Sequence, residues 1–121
     1  MLLNFQRVFA RSVWEGKKRQ TIRSAGQRQH VPAIGDTAHC YTGLRTRRTL
    51  KLGSWPIERV DVLRMDVGHW GLRNALLGAQ PLSHWELMNL AVADGFASSQ
   101  AMGRWFAANH PPGEFYGWVI G

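Results

Sequence analysis

The sequence predicts an α+β fold, a small β-barrel of about five or six mostly antiparallel strands with two or three flanking helices. Short apolar or alternating segments recur between glycine- and proline-containing turns, which is typical of small barrels. Apolar residues at helical spacing occur in only a few segments. With 121 residues, 45% of them hydrophobic, the chain is expected to form one domain, residues 1–121, around one core.

The N-terminal region is predicted to contain a strand, a short helix and a second strand. Residues 2–5 are a short apolar segment, and residues 19–24 alternate around Ile22 as a strand does. Between them, apolar residues recur at the spacing of one helix face, and these are Phe5, Val8, Phe9, Val13 and Trp14. Gly16 follows as the end of that helix.

The middle of the chain is predicted to be a series of strands and turns. Residues 24–32 have little to bury and predict a loop, and residues 32–36 a turn. The strands expected after it are residues 37–41, 49–55 and 57–67, then a tight hairpin within residues 70–78.

Helical patterns return at Ser83. Ser83 and Glu86 have the spacing of a capping box, and Asp94-Gly95 is typical of a helix end. A further helix is expected from Ser98 or Ser99 to just before residues 109–113. Residues 115–120 are rich in aromatic and β-branched side chains and predict a final strand.

The positive charge is concentrated in one part of the chain. The formal net charge is +7, and nine of the fifteen cations lie between Lys17 and Lys51 against one acid, Asp36. Counterion release makes such a surface attractive to nucleic acid, although a merely basic protein has the same net charge. The binding candidates, with Tyr41 as a base-stacking or core residue, are Lys17, Arg19, Arg23, Arg28, Tyr41, Arg45, Arg47, Arg48 and Lys51.

Cysteine content and hydropathy indicate the compartment. Cys40 is the only cysteine, so the chain has no internal disulfide, which is typical of a reducing compartment. No apolar run has the length of a membrane-spanning helix or of a signal peptide's apolar region. We therefore expect a cytoplasmic protein with no membrane partner, and we favour a monomer.

Metal and cofactor sites are not expected. The histidines have no metal-ligand spacing, and they are His30, His39, His69, His84 and His110. Gly16 and Gly26 lie in no phosphate-binding glycine pattern. The sequence predicts neither a bound metal nor a cofactor.

Several short patterns occur together in a fixed order. They are Gly16-x-Lys18-x-x-Thr21-x-Arg23 after an apolar helix, Gly35-Asp36, residues 41–46 and Asp94-Gly95-Phe96. In these features the chain resembles the ASCH domain family over nearly its whole length. The resemblance implies the PUA-like β-barrel and an RNA-related role, with binding in a cleft between barrel and helices. Some small bacterial members that this chain resembles are N4-acetylcytidine amidohydrolases, and ribonuclease activity is associated with others.

The resemblance also implies catalytic residues. Lys18 and Thr21 match the family's catalytic lysine and threonine, and Asp94 stands where those members have a glutamate. Thr21 would be the nucleophile, with Lys18 as its base if burial or nearby cations lower its pKa. Asp94 would orient Lys18 or the attacked amide. By local pattern alone, Lys18 and Thr21 are more typical of exposed strand residues than of catalytic ones, and Asp94 is more typical of a helix end.

Two functions remain open at this point. The first is a non-catalytic module that binds single-stranded RNA, with Tyr41 and either Trp55 or Trp118 stacking on bases. The second is a hydrolase of a modified nucleoside, using the three catalytic candidates. A metal-independent ribonuclease is a variant of the second, and it would lack the paired histidines that many such enzymes use as acid and base.

Overall fold

The computed structural model describes residues 1–26 and 31–121. Within these residues the chain forms three helices and eight strands. The helices are α1 (Arg7–Trp14), α2 (His84–Ala93) and α3 (Ser99–Asn109). The strands are β1 (Leu2–Phe5), β2 (Thr21–Ser24), β3 (Thr37–Thr42), β4 (Leu50–Pro56), β5 (Val60–Val67), β6 (Leu72–Leu77), β7 (Gln80–Pro81) and β8 (Gly113–Ile120).

The strands form two sheets and not one closed barrel. One has the order β1-β3-β4, with β1 parallel to β3 and β3 antiparallel to β4. The other has the order β2-β8-β5-β6-β7, and all its pairs are antiparallel. The predicted α+β class and mostly antiparallel pairing are confirmed. The strand count of five or six is wrong, since the described residues form eight strands. Of the two short edge strands, β1 is predicted from the sequence and the two-residue β7 is not.

Most predicted elements are confirmed, and several differ in extent. The hairpin expected within residues 70–78 is a single strand, β6, which pairs with the preceding strand β5. The second strand begins at Thr21 and not at Arg19, because its pairing partner β8 ends at Ile120, opposite Thr21. Helix α3 ends one residue later than predicted, at Asn109, and the final strand begins two residues earlier than predicted, at Gly113.

Two clusters of buried side chains form the interior. One lies where α2 and α3 pack on the five-stranded sheet, and it includes Met65, Met102 and Phe106. The other underlies the three-stranded sheet and includes Leu3 and Cys40. Ile120, at the end of β8, belongs to this second cluster, so the larger sheet contributes to the core of the smaller one.

The close pairing of β2 with β8 depends on a glycine. A Cβ atom on Gly117 would lie 2.1 Å from the backbone oxygen of Arg23, a separation that no side chain tolerates. Glycine at this position therefore allows β2 to lie against β8, and β2 carries Thr21 and Arg23. No helix in the described part of the chain is long and apolar enough to span a membrane.

Helix α2 begins and ends as the sequence predicts. Ser83 Oγ accepts from the Glu86 amide at 3.1 Å, and Glu86 Oε1 accepts from the Ser83 amide at 3.0 Å, which is the capping box. Asp94 is the C-cap residue, and Gly95 follows with a φ of +96°. The chain therefore leaves α2 through a glycine in the left-handed region, as is common at helix ends.

Candidate active site

The C-terminal end of α2 is capped by side chains from residues 17–20. Lys18 is only 3% exposed and Gln20 is also buried. Lys17, which precedes them, and Arg19, which lies between them, are exposed. Lys18 Nζ donates to the Asp94 carbonyl at 2.5 Å, and Gln20 Nε2 donates to the Leu90 carbonyl at 3.2 Å. Carbonyls at the end of a helix lack partners within it. The ammonium thus lies at the negative end of the helix dipole.

Lys18 and Asp94 also form a buried ion pair. Lys18 Nζ lies 3.4 Å from Asp94 Oδ2 and donates to the Gln20 carbonyl at 2.7 Å. Asp94 is 6% exposed, and its other oxygen, Oδ1, accepts from Gln20 Nε2 at 3.2 Å. An ammonium has three N–H groups, so the three oxygens around Lys18 match its full donor capacity.

Aromatic rings and a glycine complete the surroundings of Lys18. Its Nζ lies 5.1 Å from the centre of the Phe9 ring and 5.7 Å from that of Phe5, within the range of cation–π attraction. A Cβ atom on Gly95 would lie 3.2 Å from both Lys18 Cδ and Phe9 Cδ1. Glycine at this position therefore leaves room for the lysine stem as well as ending the helix.

Burial shifts the pKa values of both charged partners toward their neutral forms. It lowers the pKa of Lys18, and the attraction of Asp94 opposes this shift. It raises the pKa of Asp94 to about 6, against the opposing effects of Lys18 and Gln20. Desolvation penalises each charge, so a proton held between the two groups is more easily moved than in an exposed pair. Shifts of this kind are frequent at functional sites.

Thr21 and Arg23 lie next to the ion pair on strand β2. Thr21 is buried, and its Oγ1 accepts from Arg23 Nε at 3.0 Å. The Arg23 guanidinium lies 4.9 Å from the centre of the Phe5 ring. Because Oγ1 accepts from Arg23 Nε, the hydroxyl proton of Thr21 does not point toward Arg23. The hydroxyl can therefore donate this proton to a different acceptor.

These four residues border one cavity of about 340 Å³, namely Lys18, Thr21, Arg23 and Asp94. Much of the remaining wall is aromatic, and these residues are Phe5, Phe9, Phe96, Trp105, Phe106 and Phe115. Polar residues of the lining include Asn4, Ser24, Asn109 and His110. The volume is at the lower end of small-ligand pockets. The structure thus brings the three catalytic candidates and Arg23 together around a space of the size of a small molecule.

The second basic run lies beside this cavity. We call residues 43–51, which include the first two residues of β4, the basic loop. Its cations Arg45, Arg47, Arg48 and Lys51 are exposed. Among the described residues that border the cavity, none belongs to the basic loop. The Leu44 amide donates to Asn4 Oδ1 at 3.0 Å, so the loop is attached to a residue of the cavity rim.

The other binding candidates are also outside the cavity. Lys17 Nζ pairs with Glu15 Oε2 at 3.0 Å, and Arg19 borders a separate recess. Tyr41 is half-buried on β3. Arg28 lies outside the described residues. Of the nine binding candidates, Arg23 is thus the one that the structure places among the described residues of the cavity wall.

Two parts of the site are not evident from the sequence. Its pattern indicates an ordinary strand residue at Gln20, yet this side chain connects the end of α2 to Asp94 Oδ1. In an extended segment Gln20 lies on the same face as Lys18, and this shared face is the one sign in the sequence that the two side chains act together. Trp105 and Phe106 have the spacing of core residues, and both also border the cavity. Helical spacing alone does not distinguish a core residue from one that lines a cavity.

Within the described residues, no group of three or more His, Cys, Asp or Glu side chains is arranged to hold a metal ion. No protein-family model matches the chain, and no curated protein or solved structure matches it. A functional assignment therefore depends on the chemistry of the cavity itself.

Proposed function

We propose that this chain is an ASCH-type domain that binds a modified nucleoside in the cavity and hydrolyses its exocyclic amide, as in N4-acetylcytidine. The observation that carries the proposal is that Lys18, Thr21 and Asp94 border one cavity. Lys18 and Asp94 are 76 residues apart in the sequence, so only the fold brings them together.

The proposal includes the PUA-like character of the fold. Ile120 joins the core of the three-stranded sheet although its strand belongs to the five-stranded sheet. Two sheets that share side chains in this way are compatible with an open, barrel-like arrangement. The cavity lies beside β2, between the strands and the residues that follow α2, which is where the resemblance would put the binding cleft.

The walls of the cavity suit a nucleobase. Bases have flat π faces that stack on aromatic side chains, and Phe96 and Trp105 provide neighbouring rings with centres 6.0 Å apart. Asn4 Oδ1 accepts from the Leu44 amide and Asn109 Nδ2 donates to the Trp105 carbonyl. Their other amide atoms, Asn4 Nδ2 and Asn109 Oδ1, supply a donor and an acceptor for base edges. The volume of about 340 Å³ favours a single nucleoside over a longer ligand.

The reaction we propose proceeds in two steps. Thr21 Oγ1 attacks the amide carbonyl carbon while a neutral Lys18 accepts the hydroxyl proton. The C–N bond then breaks, Lys18 returns that proton to the departing amine, and the acyl group remains on Thr21. In the second step Lys18 takes a proton from a water molecule, which attacks the ester carbonyl carbon. The bond between that carbon and Thr21 Oγ1 then breaks, Lys18 returns the proton to Oγ1, and the carboxylic acid leaves.

Asp94 and Arg23 have supporting roles in this scheme. Lys18 becomes a base only when it has lost a proton, and Asp94 Oδ2, at 3.4 Å, is the neighbouring acceptor. Burial favours this transfer because it shifts the pKa of both groups toward neutrality. Arg23, which donates to Thr21 Oγ1, stabilises the negative charge that develops on that oxygen.

A non-catalytic RNA-binding module is the second candidate. The basic loop favours it, because its exposed arginines attract phosphates and its Leu44 amide bonds to Asn4 of the cavity rim. A ribonuclease has less support, since His110 is the one histidine of the described residues that borders the cavity, and a pair is the common acid–base arrangement.

The test is incubation of the protein with N4-acetylcytidine, with cytidine release followed by chromatography. We expect release by the wild type and none by Thr21→Val, which removes the hydroxyl while keeping the side-chain shape. Thr21→Ser, which retains a hydroxyl, is the matched control and should keep activity. A folded wild type that releases no cytidine would refute the amidohydrolase and leave RNA binding as the function.

A further inference from the structure

The buried amide of Gln20 has a partner for each of its polar atoms. The side chain is 7% exposed. Its Nε2 donates to the Leu90 carbonyl and to Asp94 Oδ1, each at 3.2 Å, and its Oε1 accepts from Arg59 Nη1 at 3.5 Å. A glutamine amide has two N–H donors and one carbonyl oxygen. Both donors and the oxygen of Gln20 are therefore engaged.

These partners allow the amide one orientation. The Leu90 carbonyl can only accept a hydrogen bond, and the Arg59 guanidinium can only donate one. If the amide were turned over, its oxygen would face the Leu90 carbonyl and its NH₂ group would face Arg59, and both contacts would be repulsive. Nε2 therefore points toward α2, and Asp94 Oδ1 receives a hydrogen bond from it.

Arg59, which holds the oxygen end of this amide, is itself fixed in place. Its backbone amide donates to the Gly121 carbonyl at 2.9 Å, and the Gly121 amide donates to the Arg59 carbonyl at 2.9 Å. Its Nε donates to Asp61 Oδ2. The guanidinium thus lies between Asp61 and Gln20, so the donor to Gln20 Oε1 comes from a fixed position.

The two oxygens of the Asp94 carboxylate consequently have different partners. Oδ1 accepts from Gln20 Nε2, whereas Oδ2 lies 3.4 Å from Lys18 Nζ. The torsion that turns a carboxylate has broad minima and does not fix its plane by itself. The hydrogen bond from Gln20 supplies this restraint and keeps Oδ2 directed at Nζ.

We propose that Gln20 is a positioning residue of the hydrolysis, whose amide holds the Asp94 carboxylate so that the proton leaving Lys18 Nζ is accepted at Oδ2. In this step an N–H bond of the ammonium breaks and an O–H bond forms at Oδ2. An ammonium and a carboxylate become a neutral amine and a neutral carboxyl group, so the net charge of the pair does not change. The inference rests on the proposed function.

The bond from Gln20 also affects the pH range in which the pair can react. Burial raises the pKa of Asp94 to about 6, and Lys18, the hydrogen bond from Gln20 and the charge of Arg23 act in the opposite direction. An Asp94 that has taken a proton from solvent cannot accept the proton of Lys18, which then stays an ammonium. Hydrolysis should therefore fall as the pH drops through the pKa of Asp94, and loss of the bond from Gln20 should move this fall to higher pH.

The first test is the pH dependence of kcat for N4-acetylcytidine hydrolysis by Gln20→Met, which keeps the side-chain length and removes the amide. A hydrogen bond to a charged group corresponds to about one to two pKa units, so the acidic limb of the profile should move up by that amount. Gln80→Met is the matched control. Gln80 on β7 is exposed and is not one of the described residues that border the cavity, so its profile should equal that of the wild type.

Gln20→Glu distinguishes positioning from packing. Glutamate has the shape of glutamine but places a second carboxyl group beside Asp94, and two carboxyl groups at one site raise the pKa of one of them. The acidic limb should again move to higher pH, although the side-chain volume is unchanged. Limbs at the wild-type pH for both variants, or loss of folding by both, would overturn the inference, because Gln20 would then be only a structural residue.

Titration of Asp94 separates this inference from the proposed function. The carboxyl-carbon NMR signal of Asp94 in ¹³C-labelled protein, identified by its absence from Asp94→Asn, reports the pKa of Asp94 without turnover. If the wild type releases no cytidine but Gln20→Met raises this pKa, the hydrolase alone is refuted and Gln20 still holds the carboxylate. If the wild type releases cytidine and Gln20→Met changes neither this pKa nor the acidic limb, the inference about Gln20 alone is refuted.

Discussion

Two basic parts of the chain, residues 17–23 and the basic loop, look alike in the sequence but differ in the structure. In the first, Lys18 is buried against three oxygens and Arg23 borders the cavity. In the second, Arg45, Arg47 and Arg48 are all exposed. The difference lies in burial and not in charge. A cation removed from water has its pKa shifted and its position fixed, whereas an exposed one only contributes to the surface potential.

The two parts also differ in what determines their shape. The basic loop is held by hydroxyl groups: Thr46 Oγ1 donates to the Gly43 carbonyl at 2.6 Å, and Thr49 Oγ1 lies 2.9 Å from the same oxygen. Gly43 has a φ of +66°, and a Cβ there would lie 2.8 Å from the Arg48 carbonyl oxygen. The arginine side chains are therefore not needed to form the loop, whereas Lys18 is part of what holds its segment to α2.

The largest effect is expected from Lys18→Met. It leaves the Asp94 carboxylate buried without its cation, and breaking a buried pair in this way costs about 3–5 kcal/mol in unfolding free energy. Lys17→Met, at the adjacent exposed lysine, should change stability little. Urea denaturation of the two variants measures the difference. Similar stability for both would mean that the Lys18–Asp94 pair is not buried as the structure has it.

A double variant separates the pair's structural role from its chemistry. Lys18→Met with Asp94→Leu removes both buried charges and should recover much of the stability that Lys18→Met removes, because no unpaired charge remains. Its hydrolysis of N4-acetylcytidine should stay absent. Recovery of turnover together with stability would exclude Lys18 and Asp94 from the reaction.

The next effect is on the pH dependence of stability. The pKa of Asp94 rises from 3.8 to about 6 in the folded protein, so the folded state binds more protons than the unfolded state between these values. The contribution of Asp94 to the unfolding free energy should therefore be largest below about pH 4 and be lost as the pH rises to about 6. The shift corresponds to about 3 kcal/mol. Asp94→Asn, which cannot ionise, should lack this contribution when urea unfolding is measured from pH 4 to 6.

Local patterns in the sequence are sufficient to predict the helix that carries Asp94. Ser83 and Glu86 are three residues apart, and Asp94-Gly95 directly follows the apolar stretch. The start and end of α2 are therefore determined by residues that are close in the sequence. Gly16 likewise ends the first helix. Such contacts involve residues within one turn, and residue type alone identifies them.

The environment of Lys18 could not be predicted in the same way. Its ion-pair partner is 76 residues distant, and nothing within residues 17–20 indicates which of two adjacent lysines is buried. The division into two sheets depends on which strand edges pair, including the parallel pairing of β1 with β3. The family resemblance supplied Lys18, Thr21 and Asp94 as a set, whereas Gln20 and the aromatic wall required the structure.

The smallest effect on stability is expected from the basic loop. Replacing Arg47 and Arg48 with glutamine should leave the unfolding free energy within about 0.5 kcal/mol of the wild type per site, as for other surface positions. If the loop binds RNA phosphates, the salt dependence of hexauridylate affinity should fall by about 0.7 for each phosphate that the variant no longer neutralises. Hydrolysis of the free nucleoside should not change, since the described residues of the cavity wall include neither arginine. If the variant loses hydrolysis while its salt dependence stays unchanged, the basic loop would contribute to the reaction in the cavity and not to binding of the RNA backbone. The contrast drawn between the two basic parts would then be wrong.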